Sequence, residues 1–212
     1  MLEPYIVLDF TDERGEIGPM MLGDLGADVI RIEPPEGSSA RRTLPLREDD
    51  SASETDSGST SLSFICFNRN KRSIVLDPES AADNQILKQL IQQAHFVFNS
   101  APNGGLAAYG FDHDGVAELN ANLVFVEISP FGRDGPHADY LGNDLVVAAM
   151  GGPVALQGVP ERAPVRLSVP QVWRHAGAES AVAPSAPPNA APRTDVVAPN
   201  VALPAGERAW PH

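Results

Sequence analysis

The pattern of apolar and polar residues at the start of the chain alternates between short apolar runs and a longer Met/Leu-rich stretch. Residues 6–8 form an apolar run that ends at Asp9, and a second run covers residues 29–32. The stretch between them closes at Gly26. A strand, a helix that ends at a glycine, and a second strand together form the pattern of a βαβ unit. Such a unit predicts a ligand site at the carboxyl end of the first strand, near residues 10–15.

The same alternation continues to about residue 150. It predicts an α/β fold with an open, mainly parallel, doubly wound (Rossmann-like) sheet. The predicted strands after the first unit are residues 73–76, 96–98 and 123–129. The predicted helical segments are residues 79–93, 106–109, 116–119, 144–150 and 171–182.

Two segments depart from this alternation. Residues 34–60 are polar and contain an acidic, serine-rich run, which cannot bury a core, so we expect a mobile surface loop. From residue 183 onward the chain is rich in alanine and proline and shows neither helix nor strand period. The sequence therefore predicts one domain over residues 1–182 and a disordered tail over residues 183–212.

Composition excludes several classes of protein. The net charge of −13 disfavours nucleic acid and anionic membranes as partners, because phosphates require a basic face. Cys66 is the single cysteine, which excludes an internal disulfide and a cysteine-based zinc site, and we expect no metal site. No apolar run reaches the roughly 20 residues of a membrane span, and no signal peptide is recognisable. We therefore expect a cytoplasmic protein.

Six short segments occur in a characteristic order along residues 5–182, and in combination they resemble the family III CoA-transferases. This family includes formyl-CoA transferase, carnitine CoA-transferase and alpha-methylacyl-CoA racemase. The most specific matches are Gly-Ala-Asp-Val-Ile within the second segment and Asn-Lys-Arg-Ser-Ile within the third. The segments are residues 7–11, 22–35, 68–74, 128–136, 144–147, and 164–166 running into 169–170.

The resemblance implies an open α/β domain that binds coenzyme A at strand ends, followed by a smaller second domain. It implies acyl-CoA and a small carboxylic acid as substrates, with no permanently bound cofactor. The family's subunits interlock as a ring-like homodimer. This chain is expected to be truncated before the second domain, so that the interlocked dimer is not expected here.

The resemblance also implies a mechanism. In the transferases an aspartate attacks the acyl-CoA thioester and forms a mixed anhydride, and the released thiolate then gives an aspartyl-CoA thioester from which the acceptor acid takes CoA. That aspartate lies four residues before a glycine, here Gly177, and its position holds Trp173. The racemase branch uses a histidine, at the position of Asn143, and the same aspartate. We therefore expect no transferase activity; Asp144 is a weak catalytic candidate, because helix capping is its commoner role.

The CoA contacts that the resemblance implies lie at two strand ends and in a basic turn. Pro34 and Ala108 stand where the family often has basic residues, which predicts weak binding, since phosphates need cations. Arg41 and Arg42, like the two basic residues of the turn, are candidates to compensate. The expected contacts are Leu76, Asp77, Pro78, Glu79, Ser100, Ala101, Lys71 and Arg72.

Other polar residues allow two interpretations each. Asp12 and Glu13 in the first strand-end loop could bind substrate or form a solvated turn, and His175 and Glu179 could be an acid/base pair or a surface pair. Two functions stay open: an acyl-CoA-processing enzyme, and a non-catalytic CoA-binding protein. A nicotinamide dinucleotide site is disfavoured, because residues 11–18 lack the full Gly-x-Gly-x-x-Gly pattern and are acidic.

Overall fold

A parallel sheet with helices on both faces forms the centre of the computed structural model, which describes residues 1–48, 59–100, 105–132, 135–182 and 193–197. The predicted α/β fold with an open, mainly parallel sheet is confirmed. The strands are β1 (Ile6–Phe10), β2 (Asp28–Glu33), β3 (Leu46–Glu48), β4 (Ser59–Ser61), β5 (Lys71–Val75), β6 (Phe96–Asn99), β7 (Val124–Ser129) and β8 (Arg193–Val197).

The main sheet has six strands in the order β5-β2-β1-β6-β7-β8, and all its pairs are parallel. The order reverses between β2 and β6, on either side of β1, so the carboxyl end of β1 is the topological switch point where open α/β sheets bind ligands. A separate antiparallel pair is formed by β3 and β4.

All but one of the α-helices in the described part of the chain have a length of three turns or less. Gly26, just after the first helix, has a φ of 101°, a conformation that glycine adopts without strain, and it lets the chain turn into β2. No helix in the described part of the chain has the length and apolar content needed to cross a membrane. The α-helices are α1 (Ile17–Asp24), α2 (Leu62–Phe67), α3 (Ala81–Gln93), α4 (His113–Leu119), α5 (Asp144–Met150) and α6 (Gln171–Ser180).

Two apolar clusters cover the two faces of the sheet. On the face that we call the α1 face, alternate strand residues such as Val7 and Phe98 pack with α1, α5 and α6. On the opposite face, Leu8 and Val97 pack against α3 and α4. Because successive strand residues point to opposite faces, a strand covered on both sides is apolar along its length, as β6 is up to its last residue, Asn99.

Two segments differ from the sequence prediction. Within residues 34–60 the chain forms a 3₁₀ turn at Ser39–Arg42 and the β3–β4 pair, while residues 49–58 of the predicted loop lie outside the described residues. Arg41 in that turn binds the buried Glu33, which fixes the segment to the sheet. Within the predicted tail, β8 extends the sheet at the open edge of β7; the segment is rich in β-branched residues, which favour strands.

Candidate functional site

A buried cluster of charges lies on the α1 face, where β1, β2 and β5 run side by side. The parallel register places Asp9 opposite Arg31, and the Nη1 of Arg31 lies 3.2 Å from Asp9 Oδ2. The ammonium of Lys71, whose side chain is 1% exposed, donates to the same oxygen at 2.8 Å. Burial alone raises the pKa of Asp9, but Lys71 and Arg31 outweigh it and hold the pKa below its usual value.

Glu16 approaches the cluster from the residue before α1. Its Oε1 accepts a hydrogen bond from Asn68 Nδ2 at 2.6 Å and lies 3.5 Å from Arg31 Nη2. Burial disfavours the charged carboxylate more than these partners stabilise it, and it raises the pKa of Glu16 to about 7. Glu16 is therefore a carboxyl group that takes up or releases a proton near neutral pH.

Glu33, at the end of β2, shows the opposite behaviour. Arg41 binds both of its oxygens, with Nε at 2.6 Å and Nη2 at 2.7 Å, and Ser73 Oγ donates to Oε1 at 2.6 Å. Burial raises the pKa of this carboxyl, but the hydrogen bonds from Arg41 and Ser73 lower it to about 2. Glu33 thus stays ionised and anchors the segment that follows β2.

A small cleft, which we call the strand-end cleft, opens at the carboxyl ends of β1 and β2. It has a volume of about 150 Å³, and its walls come from residues 10–12 and 36–39. Arg42 is the one cation that lines it among the described residues; its Nη1 donates to the Glu36 carbonyl at 3.2 Å, and it makes no ion pair there. Asp12 and Glu36 add negative charge, which weakens the attraction for an anionic ligand.

Ser100 contacts Asp12, a residue that lines the strand-end cleft. Ser100 Oγ donates to Asp12 Oδ1 at 2.7 Å and accepts from the Asp12 backbone N–H at 2.9 Å. Arg14 holds the same carboxylate through its Nε. Asp12 is therefore a fixed part of the cleft rather than a solvated turn residue, and the expected contact Ser100 lies beside it. Its expected neighbour Ala101 lies outside the described residues.

The other expected CoA contacts are divided between three places. Residues 76–79 follow β5 at the same edge of the sheet, but they do not line the strand-end cleft, and the Leu76 carbonyl is bound by the Tyr109 hydroxyl at 2.9 Å. Lys71 is enclosed in the buried cluster. Arg72, whose side chain is 66% exposed, pairs with Asp28 at the amino end of the strands. The structure therefore does not bring these basic residues to the cleft, because each already has a carboxylate partner elsewhere.

A second cleft, the α6 cleft, lies between the start of α6, the start of α1 and residues 43–45, with a volume of about 310 Å³. Trp173, at the position where the resemblance implies an aspartate, forms part of its wall and is 7% exposed. Arg174 lines the same cleft, with its guanidinium 5.8 Å from the ring centre of Phe67. Glu16 also lines it. Sequence reasoning missed Arg174 and Glu16, because neither belongs to a recognisable motif.

Asp144 is the first residue of α5, but its side chain caps α6. Its Oδ1 accepts the backbone N–H groups of Val172 at 2.9 Å and Trp173 at 3.4 Å, so it caps α6, while Asn143 caps α5. His175 and Glu179 are joined by no hydrogen bond or ion pair within the described part of the chain. These contacts favour structural roles for Asp144 and Asn143.

Comparison with known proteins yields one family model, CoA-transferase family III, which matches residues 2–195. The chain is 34% identical over 178 residues to the succinyl-CoA:(R)-benzylsuccinate CoA-transferase subunit BbsE of Thauera aromatica, covering 84% of this chain and 42% of that protein. It is 35% identical over 150 residues to the succinate–glutarate CoA-transferase of Agrobacterium fabrum, covering 70% of this chain and 37% of that protein.

Among solved structures, a CAIB/BAIF family protein from Brucella suis superposes with a TM-score of 0.76 at 30% identity, over 87% of this chain and 48% of that one. A hypothetical protein from Mycobacterium tuberculosis gives a TM-score of 0.71 at 29% identity. The chain thus spans about two fifths of the length of the curated relatives and about half of the solved ones.

Proposed function

Because the chain belongs to CoA-transferase family III, we propose that it binds coenzyme A or an acyl-CoA at the strand-end cleft and does not carry out the covalent transfer of CoA. Both curated relatives named above are CoA-transferases by name. Under this proposal, the chain binds coenzyme A, the ligand of that family, but does not catalyse the transfer of CoA.

The position of the strand-end cleft supports CoA binding. It lies at the switch point of the parallel sheet, where nucleotides bind in open α/β folds. Arg42 can meet a phosphate there, because it has no carboxylate partner among the described residues. One available arginine beside Asp12 and Glu36 supports weak binding, since CoA carries several phosphate charges.

The single observation that supports the loss of transferase activity is the buried indole of Trp173. It lies in the apolar cluster of the α1 face, and its backbone N–H is bound by Asp144. An indole cannot form the acyl-enzyme anhydride, and losing a covalent nucleophile removes several orders of magnitude of rate. The racemase-like alternative is weaker, because Asn143 is engaged as the cap of α5.

Thermal unfolding with CoA and, separately, with NAD tests the binding half of the proposal. CoA is expected to raise the melting temperature and NAD to leave it unchanged, because a ligand stabilises only a state that binds it. A shift with NAD alone would contradict the proposal.

An exchange assay with acetyl-CoA and succinate tests the chemical half, and we expect no succinyl-CoA above the rate without protein. Robust exchange would contradict the proposal. It would point to Glu16, the carboxyl group that lines the α6 cleft beside Trp173, and the variant Glu16→Gln would then be expected to abolish it.

A further inference from the structure

Arg41 clamps the turn that follows β2. Its guanidinium binds both oxygens of the buried Glu33, at 2.6 and 2.7 Å, and lies over the ring of Phe64, 4.2 Å from the ring centre. A planar guanidinium holds a carboxylate through two parallel hydrogen bonds and stacks on an aromatic ring, a combination that an ammonium group does not reproduce. Arg41 is therefore held from two sides, although its side chain is 44% exposed.

Two residues of the strand-end cleft are fixed by the same buried charges. The Ser38 backbone N–H donates to Glu33 Oε2 at 3.2 Å, and Ser38 Oγ accepts from Arg31 Nη2 at 2.8 Å. Gly37 has a φ of 75°, and a Cβ at this position would lie 3.2 Å from Arg41 Cδ, so a larger residue would strain the backbone and crowd Arg41. Gly37 and Ser38 both line the cleft, which means that the clamp and the cleft share one wall.

Arg42, the residue after the clamp, lines the cleft. It ends the single 3₁₀ turn Ser39–Arg42 and donates to the Glu36 carbonyl at 3.2 Å. A 3₁₀ helix of one turn has little stability of its own, because its hydrogen bonds have poor geometry. The direction of Arg42 therefore depends on what holds the turn, which is the bidentate pair of its neighbour Arg41 with Glu33.

We propose that Arg41 and Glu33 are positioning residues for the strand-end cleft, which hold the turn in the form in which Arg42 meets a phosphate group. A binding group that is already in place loses little conformational freedom when the ligand arrives, so its affinity is higher than that of the same group on a loose turn. Of the two adjacent arginines, Arg42 contacts the ligand and Arg41 acts through it. The inference rests on the proposed function, because it assigns the residues that set the affinity of this cleft for CoA.

Calorimetric titration of CoA into Arg41→Lys tests the inference at constant charge. Lysine keeps the charge but not the planar fork, so we expect CoA to bind about threefold to tenfold more weakly, as when one long side chain has to be ordered on binding. Arg72→Lys is the matched control, at an exposed arginine that pairs with Asp28 at the amino end of the strands, and it should leave the affinity unchanged. Equal affinities of Arg41→Lys and the unmodified chain would overturn the inference.

Glu33→Gln distinguishes positioning from attraction by overall charge. The substitution removes a negative charge beside the cleft, so overall charge alone would tighten CoA binding. Loss of the clamp weakens it instead, and we expect a loss similar to that in Arg41→Lys. Tighter binding in Glu33→Gln would contradict the inference. Arg41→Lys stays decisive if Glu33→Gln does not fold, because Arg41 is partly exposed whereas Glu33 is buried.

A double variant tests whether Arg41 acts through Arg42. In the Arg42→Gln background, Arg41→Lys is expected to cause no further loss of CoA affinity, because the two residues affect one contact. A general loss of stability would not depend on the residue at position 42. Additive losses in the double variant would therefore overturn the positioning role.

The melting experiment with CoA separates this inference from the proposed function. No effect of CoA on the unmodified chain would refute the CoA site, and with it the positioning role. Weaker binding in Arg42→Gln together with full binding in Arg41→Lys would refute the positioning role and leave the CoA site in place.

Discussion

Two basic residues of this protein, Lys71 and Arg174, have opposite surroundings. Lys71 lies in a family motif and is enclosed by Asp9 Oδ2, the Asn68 side chain and the Glu16 carbonyl, at 2.8–3.0 Å. Arg174 lies in no motif, borders a cleft and has no carboxylate partner among the described residues. The difference shows that a basic residue is available to a ligand only where the fold leaves it without a carboxylate partner.

The same contrast separates Arg72 from Arg42. Both are exposed, but Arg72 is bound to Asp28 at the amino edge of the sheet, and Arg42 lines the strand-end cleft with no ion pair in the described part of the chain. The buried cluster is accordingly expected to contribute to stability, and Arg42 is the ligand contact that we propose. Each prediction below tests one side of that division.

The largest expected effect is on stability. Lys71→Met removes the ammonium from Asp9 and leaves a buried carboxylate with Arg31 as its remaining cation. We expect the free energy of unfolding to fall by about 3–5 kcal/mol, because a buried charge whose partner is removed stays desolvated. Urea unfolding monitored by tryptophan fluorescence measures the loss.

Arg72→Met is the matched control for Lys71→Met, since it removes a neighbouring but exposed cation. We expect a much smaller loss, because exposed ion pairs contribute little. Equal losses in the two variants would show that the buried cluster has no special weight in stability.

The next effect is the pH dependence of stability. The pKa of Glu16 is about 7 in the folded chain against 4.5 as its ordinary value, so folding takes up a proton between these pH values. The free energy of unfolding should therefore fall as the pH rises from 4.5 to 7, by up to about 3 kcal/mol. Urea titrations at pH 5 and pH 7.5 measure this slope, and Glu16→Gln should remove it.

Glu33 affects the free energy of unfolding at acidic pH. Its folded pKa is about 2 against the ordinary 4.5, so the stability that it contributes is present above pH 4.5 and is lost as the pH falls through 2. These two carboxyl groups together place the maximum of stability near pH 4.5. A stability that rises steadily from pH 5 to pH 7.5 in the unmodified chain would contradict the assignment for Glu16.

Much of the fold could be predicted from the sequence, because periodicity is a local property. The run at residues 29–32 and helix 144–150 follow directly from spacing, and the structure has them as β2 and α5. The buried cluster could not be predicted in this way. Asp9 and Lys71 are 62 positions apart, and they meet only because three parallel strands align in one register.

The location of the candidate site at the strand ends could be predicted for the same reason, whereas its role in binding stays a prediction. Ser100 and the loop near residues 10–15 lie at the switch point, because strand ends are readable from the sequence. Arg174 gave no signal, since its surroundings, such as the Phe67 ring, come from residues that are far apart in the sequence. Lys71 was expected at the CoA site from its motif, but its side chain is turned into the interior of the protein.

The smallest expected effect concerns the cap of α6. Asp144→Ala removes the acceptor of the Val172 and Trp173 N–H groups, and we expect a loss of about 1 kcal/mol in the free energy of unfolding. The same unfolding measurement detects it, with Asp139→Ala, an exposed aspartate outside any cap, as the control. An unchanged stability would show that Asp144 is not a structural cap and would restore it as a catalytic candidate.

The most direct test of the division between paired and unpaired cations is calorimetric titration of CoA into the unmodified chain, Arg42→Gln and Arg72→Gln. The two variants remove one exposed charge each, so effects of net charge are matched. We expect Arg42→Gln to weaken CoA binding about tenfold, as the loss of a charge-assisted phosphate contact predicts, and Arg72→Gln to leave it nearly unchanged. Weakened binding in Arg72→Gln with full binding in Arg42→Gln would contradict the account.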